Sequence, residues 1–478
     1  MKNILVKNTI LYTIGSLLPK ITGFILLPVY TTYMSKADYG IIQSMQVIIS
    51  ILSIVFTLAT ERGIYRLYYD YKENEQKKTL IGNITLLIFI LSTLGCSIFL
   101  LFPEILHSFF PSIPFYPYYT YTLLTIYFLV FQSIPLSLLM IKEKALHYII
   151  VTAISFAIVT LSILYFVVLK KQSAEGMIKG QMIGNLIMLP YYIYLLLKDC
   201  KFKITFKIIR SSLAFSLPMI PTLFSSWILN LSDRIFIERY STLDDLGVYS
   251  VGYKIAGIII IISAGIFKAY NPYFYKIANS DTNFIKKLTQ SHNLLAITLI
   301  YICFVIAFLS NEIVHFFINS KFSDAANFIP IISLAYLFQI LSGLLNPIYY
   351  QEKKTLRLMF IVLFIAGVTL LLNYILIPKY GGYGAAWATV IAVFIYFVLE
   401  YILKPRSFII IFKWHILLSV IASFIGIFFI FYIFPINNYF ISLIVKTSIL
   451  TFILILFYLI FFKKTLSPKR IYERNNNI

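Results

Sequence analysis

The sequence predicts an all-α polytopic membrane protein with about fourteen transmembrane helices. Three observations lead to this prediction. Hydrophobic residues make up 60% of the 478 residues, charged residues make up only 12%, and apolar runs follow one another along almost the whole chain. Each run is long enough to cross about 30 Å of hydrocarbon as a helix. Transmembrane β-strands would instead give short segments of alternating polarity, and the sequence has no such pattern.

The predicted spans follow one another with short connections. In order they cover 8–33, 41–66, 79–102, 118–141, 146–169, 177–197, 211–238, 248–270, 290–309, 328–350, 356–378, 382–403, 413–434 and 438–462. The first run resembles a signal peptide, but Pro19 and Lys20 interrupt it and no small-residue cleavage site follows. We therefore expect this run to be retained as the first helix.

The excess of positive charge indicates how the chain is oriented. Lys and Arg number 40 against 19 Asp and Glu, a formal net charge of +21. With a cytoplasmic N-terminus, about 26 of the cations fall on the cytoplasmic side and about 7 on the other side, as the positive-inside rule requires. This predicts that both termini are cytoplasmic. The cations then face anionic lipids, and no nucleic-acid partner is expected.

A short motif after span 1 recurs after span 7. Asp38, Tyr39 and Gly40 are matched by Asp245, Leu246 and Gly247, about 200 positions later. The glycines at 176, 180 and 184 have similar counterparts at 381 and 384. Such an offset predicts two parallel six-helix repeats related by an axis along the membrane normal. We therefore predict an N-terminal lobe over 1–205, a C-terminal lobe over 206–405, and two additional helices with a basic tail over 406–478.

Polar side chains form stripes on two of the predicted helices. The stripe on span 2 includes Gln46, Ser50 and Glu61, and the stripe on span 7 includes Asn230 and ends at Arg234. Residues three or four apart lie on one helical face. We expect Gln46, Ser50 and Asn230 to line a polar cavity. Hydrogen bonding between helices is the alternative explanation for the Ser and Thr members of these stripes.

Cationic side chains within or at the ends of the spans suggest an anionic ligand. Most of them belong to spans 1, 2, 7 and 8, the first two helices of each predicted repeat, and a further lysine, Lys446, lies inside the last span. A cavity lined in this way would bind an anion, and phosphate is the natural choice for Lys and Arg. The candidate binding residues are Lys20, Arg62, Arg66, Arg234, Lys254 and Lys268. For Arg62, Arg66 and Lys268, which lie near helix ends, the alternative is that they reach toward lipid head groups.

No motif in the sequence indicates catalysis, a metal site or a cofactor. Nucleotide-binding and zinc-protease motifs are absent, and the five histidines are scattered. Glu61 and Asp233 are candidates for ion coupling. Asp244 and Asp245 form the one acidic pair, which is more typical of a turn or a helix cap than of metal-dependent chemistry.

Several segments together resemble the polysaccharide transporter family, the O-antigen and capsule repeat-unit flippases. Residues 33–40 are similar to its loop after span 1, and residues 215–221 and 231–237 are similar to its entry to span 7 and its Ser-Asp-Arg signature. Residues 246–255 continue the similarity, and residues 372–389 resemble its Asn-x-x-Leu-Ile-Pro passage. The order and spacing of these motifs make the resemblance specific. The end of span 2 departs from the family pattern, because Glu61 precedes two arginines.

The resemblance implies a fold, a function and a location. The family belongs to the multidrug/oligosaccharidyl-lipid/polysaccharide exporter superfamily, which implies two six-helix lobes in a V-shape around a cationic cavity, plus two further helices. It implies a flippase of the bacterial cytoplasmic (inner) membrane that moves undecaprenyl-pyrophosphate-linked oligosaccharides by alternating access, for O-antigen of lipopolysaccharide or for capsule. Its partners would be this lipid-linked substrate, membrane lipids, and the polymerase and chain-length regulator of the pathway.

Two other functions are possible for a chain with this many apolar spans. A cation-coupled multidrug exporter of the same superfamily would need an acidic and aromatic cavity, whereas the intramembrane charge of this chain is positive. A polysaccharide polymerase would need a large outer loop for chemistry. The longest outer connections here, around 103–117 and 310–327, are short. We therefore expect a transporter and not an enzyme.

Overall fold

The computed structural model describes residues 12, 15, 23–280, 284–405 and 412–457. Within these ranges every regular element is a helix, so the predicted all-α fold is confirmed. The α-helices are α1 Leu27–Tyr33, α2 Lys36–Thr57, α3 Thr60–Asp70, α4 Asn74–Leu101, α5 Glu104–His107, α6 Thr120–Val130, α7 Ser133–Ile141, α8 Ala145–Leu164, α9 Ser173–Lys198, α10 Phe206–Ser216, α11 Ile220–Tyr240, α12 Leu243–Ala256, α13 Ile258–Ser280, α14 Phe284–Phe308, α15 Ser310–Phe317, α16 Ala325–Gln351, α17 Thr355–Leu403, α18 Trp414–Ile433 and α19 Tyr439–Phe457. Four short π- or 3₁₀-helices connect some of them: Phe115–Tyr119, Tyr165–Leu169, Leu217–Met219 and Ser320–Phe322.

Helices long enough to cross a membrane account for most of the predicted spans. Eleven helices of the described ranges meet this criterion by length and composition, and Tyr439–Ile455 is a shorter apolar helix. The longest, α17, contains both predicted spans 356–378 and 382–403. It bends at Gly381, whose φ of 54° and ψ of −133° lie outside the helical region. Half of the first predicted span lies outside the described residues, so the count of fourteen stays a prediction.

The predicted span 41–66 is two helices and not one. Leu58 and Ala59 both have left-handed backbone angles, with φ of 45° and 56°, and two such residues in a row end the regular hydrogen bonding of α2. The Thr60 hydroxyl closes the break by donating to the carbonyl oxygen of Thr57 at 2.6 Å. Glu61 therefore belongs to α3 and does not continue the regular helix that carries Gln46 and Ser50.

The helices divide into two compact units, which are not continuous in sequence. The first unit comprises Met1–Lys254 and Leu356–Ile395, and the second comprises Ile255–Thr355 and Tyr396–Ile478. The lobe boundaries predicted at 205 and 405 follow the sequence repeat and not compactness, and they stay a prediction.

In the first unit, α8 and α9 approach closely along a stripe of glycines. A Cβ at Gly180 would lie 2.6 Å from the Cα of Ile163, and a Cβ at Gly184 would lie 2.6 Å from the Cα of Val159. Real Cβ atoms do not come so close, so only glycine allows this separation of the two backbones. Small residues commonly let membrane helices pack in this way.

The repeated Asp-x-Gly motif forms two matching turns in the first unit. Ser35 and Asp38 make a reciprocal capping box at the start of α2, and Thr242 caps Asp245 in the same register at the start of α12. Each turn also contacts the other. A Cβ at Gly40 would collide with the carbonyl oxygen of Leu243, and the corresponding Cβ at Gly247 would collide with that of Lys36.

A buried ion pair ties the last helix of the second unit to α15. Nζ of Lys446 lies 2.8 Å from Oε1 of Glu312 and donates to the carbonyl oxygen of Phe308 at 3.0 Å. The hydroxyl of Ser442 donates to the same carboxylate at 2.5 Å. Glu312 is 2% exposed and Lys446 is 7% exposed. The lysine charge that the sequence places inside span 14 is thus matched by a carboxylate.

Replacing the turn glycines should destabilise the first unit. We expect Gly40→Ala and Gly247→Ala each to lower the free energy of unfolding by about 1–3 kcal/mol, because the added methyl group forces the opposing backbone away. The matched control is Gly367→Ala, also in the first unit, where an added Cβ has nothing within 4 Å. This control should be neutral or slightly stabilising, since alanine favours helix more than glycine does. Unfolding in mixed micelles, followed by intrinsic fluorescence, measures all three, and equal behaviour of the three variants would contradict the close contact.

Removing one member of the Glu312–Lys446 pair should destabilise the protein more than removing both members. Lys446→Met leaves a buried carboxylate without its cation, and we expect a loss of about 3–5 kcal/mol in the free energy of unfolding. The double variant Glu312→Gln/Lys446→Met should recover most of this loss. Unfolding in mixed micelles, followed as above, compares the variants with the parent protein. Additive effects of the two substitutions on the free energy of unfolding would contradict the pairing.

Candidate functional site

The polar stripe of α11 is bonded to its own helix. The side chains of Ser226 and Asn230 donate to the carbonyl oxygens of Thr222 and Ser226 at 2.9 and 2.6 Å. Nη1 of Arg234 continues the series by donating to the carbonyl oxygen of Asn230 at 2.6 Å. Each of these bonds stays within α11, and Asn230 keeps its amide oxygen as an acceptor. The spacing of four residues produces this arrangement directly.

Arg234 and Asp233 form a buried ion pair at the end of this stripe. Both residues are 4% exposed, and Nη1 of Arg234 lies 2.6 Å from Oδ1 of Asp233. The second carboxylate oxygen accepts a 2.5 Å hydrogen bond from the hydroxyl of Tyr249 on α12. The guanidinium group lies 4.4 Å from the ring centre of Tyr253. The charge of Arg234 is therefore matched within the protein, and its attraction for an external anion is reduced.

Another buried contact ties α17 to α11 beside this pair. Nδ2 of Asn373 lies 3.2 Å from the hydroxyl oxygen of Ser232, and neither side chain reaches solvent. Asn373 lies in the Asn-x-x-Leu-Ile-Pro passage singled out in the sequence. The passage therefore packs against the Ser-Asp-Arg segment within the first unit.

The stripe of α2 approaches α11 through Ser50. The indole Nε1 of Trp227 donates to the Ser50 hydroxyl at 3.0 Å, and this hydroxyl donates to the carbonyl oxygen of Val47 at 2.8 Å. Gln46, one turn earlier, is exposed. Ser50 and the stripe of α11 thus belong to one polar face of the first unit, and Ser50 serves as a contact between helices.

The arginines of α3 lie on the surface of their helix. The side chain of Arg62 is 52% exposed, with its Nε 3.9 Å from the carboxylate of Glu61. Arg66 is exposed and lies 5.2 Å from the ring centre of Phe215. One carboxylate oxygen of Glu61 is buried and has no hydrogen-bond partner among the residues that the structure describes. The exposure and partial pairing of Arg62 and Arg66 are compatible with contacts to lipid head groups. Both arginines also stay candidates for substrate binding.

Lys254 is the candidate cation with the least compensation. It is half-buried on α12, and no ion pair or hydrogen bond joins it to any residue within the described ranges. Its Nζ lies 3.4 Å from where a Cβ on Gly23 would be, so it reaches the first predicted span. An ammonium group held in this way requires an anion or water.

The remaining predicted cations are Lys20 and Lys268. Lys20 lies outside the described residues. Lys268 is exposed on α13 and belongs to the second unit. The first unit therefore contains Gln46, Ser50, Asn230, Asp233, Arg234 and Lys254, which lie on α2, α11 and α12.

Two buried ionisable groups in the second unit were not predicted. Glu400 has no exposed surface, and neither carboxylate oxygen has a hydrogen-bond partner among the described residues. His292 is also fully buried and contacts the hydroxyl of Tyr270 at 2.7 Å and the carbonyl oxygen of Leu344 at 2.9 Å. Both residues lie in apolar runs, and a single ionisable residue in such a run is itself the signal that could have identified them.

In the described part of the chain, no three His, Cys, Asp or Glu side chains converge as metal ligands would. The three cysteines, Cys96, Cys200 and Cys303, are free. The polar groups of the first unit can bind an anion and donate hydrogen bonds to a polar ligand, and they form no recognisable catalytic arrangement.

Comparison with family models gives two matches. The model described as polysaccharide biosynthesis protein matches residues 5–278, which is more than half of the chain. The MatE model matches residues 218–375.

Two proteins of Haemophilus influenzae are similar in sequence. The chain is 26% identical over 303 residues to "Lsg locus putative protein 1", covering 59% of this chain and 69% of that protein. It is 26% identical over 367 residues to an "Uncharacterized membrane protein", covering 73% and 85% of the two chains.

Solved structures of related transporters share the fold. The lipid II flippase MurJ in its inward closed conformation aligns with a TM-score of 0.74 at 18% identity, over 94% of this chain and 99% of that chain. The Vibrio cholerae MATE transporter VcmN aligns with a TM-score of 0.58 at 11% identity, over 84% and 95% of the two chains. These likenesses establish the architecture.

The Tyr249 hydroxyl should stabilise the Asp233–Arg234 pair measurably. Tyr249→Phe removes a donor from a buried carboxylate, and we expect it to lower the free energy of unfolding by about 1–3 kcal/mol. In an Asp233→Asn background the same substitution should have a much smaller effect, because the charged acceptor is gone. A double-mutant cycle in mixed micelles measures this coupling, and additive effects would contradict the contact.

Proposed function

Because this chain belongs to the polysaccharide biosynthesis protein family, transporters of the multidrug/oligosaccharidyl-lipid/polysaccharide exporter superfamily, we propose that it is a flippase for undecaprenyl-pyrophosphate-linked oligosaccharides. It would move a repeat unit of O-antigen or capsule from the inner to the outer leaflet of the bacterial cytoplasmic membrane. Both termini would be cytoplasmic. A polymerase and a chain-length regulator would then receive the unit.

The uncompensated ammonium group of Lys254 carries this proposal. A pyrophosphate entering a membrane protein loses its hydration, and a cation without an internal partner offsets part of this loss. Arg234 contributes less direct attraction, because Asp233 already neutralises it. Lys254 is therefore the principal anchor for the pyrophosphate, with Lys20, Arg62, Arg66 and Lys268 as further candidates along its path.

The polar face of the first unit would bind the sugars. Gln46 is exposed, and Asn230 keeps a free amide oxygen beyond its bond to Ser226. Amide side chains can both donate to and accept from sugar hydroxyls. Binding of this kind suits glycans of different composition, because it depends on hydroxyl groups in general.

The membrane potential can drive the transport step without ATP. An anion moving outward across an inside-negative membrane gains about 2.3 kcal/mol per charge per 100 mV. A dianionic pyrophosphate therefore gains about 4–5 kcal/mol under that potential. Rocking of the two repeats would expose the site alternately to the two sides. Glu61 and Asp233 are the candidates for coupling to an ion.

Neutralising Lys254 should slow translocation. We expect Lys254→Gln to reduce the rate on the order of tenfold, since one charge-assisted contact to the pyrophosphate is lost. The assay follows a lipid-linked oligosaccharide in proteoliposomes as it becomes accessible to an external glycosidase. The matched control is Lys207→Gln, at an exposed lysine of α10, which should leave the rate unchanged.

A combined variant provides the decisive result for this site. Unchanged translocation after Lys20→Ala, Arg234→Ala and Lys254→Ala together would refute the cationic site. Each variant is first compared with the parent protein by size-exclusion chromatography, so that loss of folding is not read as loss of transport.

A cation-coupled multidrug exporter is the second candidate function. The match of residues 218–375 to the MatE model favours it, and the uncompensated Lys254 disfavours it, because a positive site repels organic cations. Efflux of a cationic dye from cells with and without the gene distinguishes the two. Dye efflux that depends on this chain, without flipping of lipid-linked oligosaccharide, would replace the flippase proposal.

A polysaccharide polymerase is the remaining alternative from the sequence. A polymerase deletion leaves single repeat units on the cell surface, whereas a flippase deletion leaves almost none. Analysis of surface glycans by gel electrophoresis therefore separates these two functions in one experiment.

A further inference from the structure

A small cationic cavity in the first unit is lined by no residue of α2 or α11. It has a volume of about 70 Å³, enough for about five water-sized groups. It opens between the turn that joins α7 to α8 and the last turn of α9. Its lining is Pro135, Leu138, Leu139, Lys142, Lys144, His147, Leu195, Lys198 and Asp199.

The charged side of the cavity has more cations than anions. Asp199 is its one lining carboxylate, and it lies 2.5 Å from Nζ of Lys142, so that these two charges match each other. Lys144 and Lys198 have no ion pair with any residue that the structure describes. Two positive charges are thus left at the mouth of the cavity, beside the imidazole of His147, and they attract an anion.

The backbone holds this arrangement in place. The amides of Lys142 and Lys144 donate to the carbonyl oxygens of Leu138 and Leu139 at 2.9 and 2.8 Å. The hydroxyl of Tyr69 donates to the carbonyl oxygen of Ile141 at 3.1 Å. α8 starts at this turn without a side-chain cap, so its first amides add positive partial charge.

Exposed apolar side chains neighbour the lining residues along the chain. Leu146 is 63% exposed, and Tyr194 and Leu197 are 60% and 57% exposed. They follow or precede the lining residues on α8 and α9. The rim is completed by His147, whose Nε2 lies 2.7 Å from the hydroxyl of Tyr191. In a membrane protein, such a surface beside a helix end contacts acyl chains next to the head-group layer.

We propose that this cavity binds the phosphate group of an anionic membrane lipid. Lys144 and Lys198 contact the phosphate oxygens, and the exposed apolar residues of α8 and α9 contact the acyl chains. A phosphodiester group has five heavy atoms, phosphorus and its four oxygens, which fits the size of the cavity, whereas a glycan does not fit. The site is separate from the proposed translocation site, so either proposal can fail without the other.

Native mass spectrometry of the delipidated protein tests the lipid site. The probes are phosphatidylglycerol, phosphatidylcholine and inorganic phosphate, and the protein is the full chain. Lys144→Gln/Lys198→Gln should weaken phosphatidylglycerol binding on the order of ten- to thirtyfold. The attraction of two lysines for an anionic head group corresponds to a change in affinity of about this size. The matched control, Lys203→Gln/Lys207→Gln, removes the same charge from exposed lysines outside the cavity and should keep the parent affinity.

Three results would overturn the proposal. Equal weakening by both double variants would indicate diffuse attraction without a site. Phosphatidylcholine binding as tightly as phosphatidylglycerol would show that net negative charge is not recognised. Competition by inorganic phosphate as effective as that by the lipid would assign the cavity to a soluble anion. Thermal stabilisation by phosphatidylglycerol, present in the parent and lost only in Lys144→Gln/Lys198→Gln, is the second measurement that the lipid site predicts.

Discussion

The cost of leaving a polar group unpaired in hydrocarbon is the constraint on which this structure depends. It explains why Ser226, Asn230 and Arg234 each donate to the carbonyl oxygen one turn earlier, so that a polar stripe exists without disturbing the helix. The same constraint pairs Arg234 with Asp233 and Lys446 with Glu312. Among the described residues, these two charges at membrane depth are matched inside the protein.

Lys254 is the exception to this internal pairing of charges. Lys254 has no ionic partner among the described residues, and it is half-buried in the first unit. An unpaired charge at membrane depth is costly in free energy, so a lysine without an ionic partner there suggests a ligand. For the identity of the anion site, the difference in pairing between Arg234 and Lys254 therefore matters more than the number of cations. Arg234 is held by Asp233, and Lys254 is the residue that we propose contacts the substrate.

The packing of the first unit depends on very small residues at turns. Gly40 and Gly247 begin α2 and α12 in the same capped conformation and face each other's backbone. This contact holds the start of α2 against the start of α12, the helix that carries Tyr249 and Lys254. The glycines of α9 serve a similar purpose against α8. Close backbone approach thus positions the polar residues, although it involves none of them.

The sequence by itself determined the helical membrane fold, the family and the residue types of the site, because apolar length, helical spacing and motif order are local properties of the chain. Only the tertiary structure decided which charges are free. Asp233 and Arg234 are neighbours in sequence, yet Tyr249 completes their pair from another helix. Glu312 and Lys446 lie more than a hundred positions apart, so their contact is invisible in either run. The break at Leu58–Ala59 was also unpredicted, since neither residue signals a left-handed backbone. A pattern shows where a charge lies along a helix, but its electrostatic state depends on neighbours that folding brings from elsewhere.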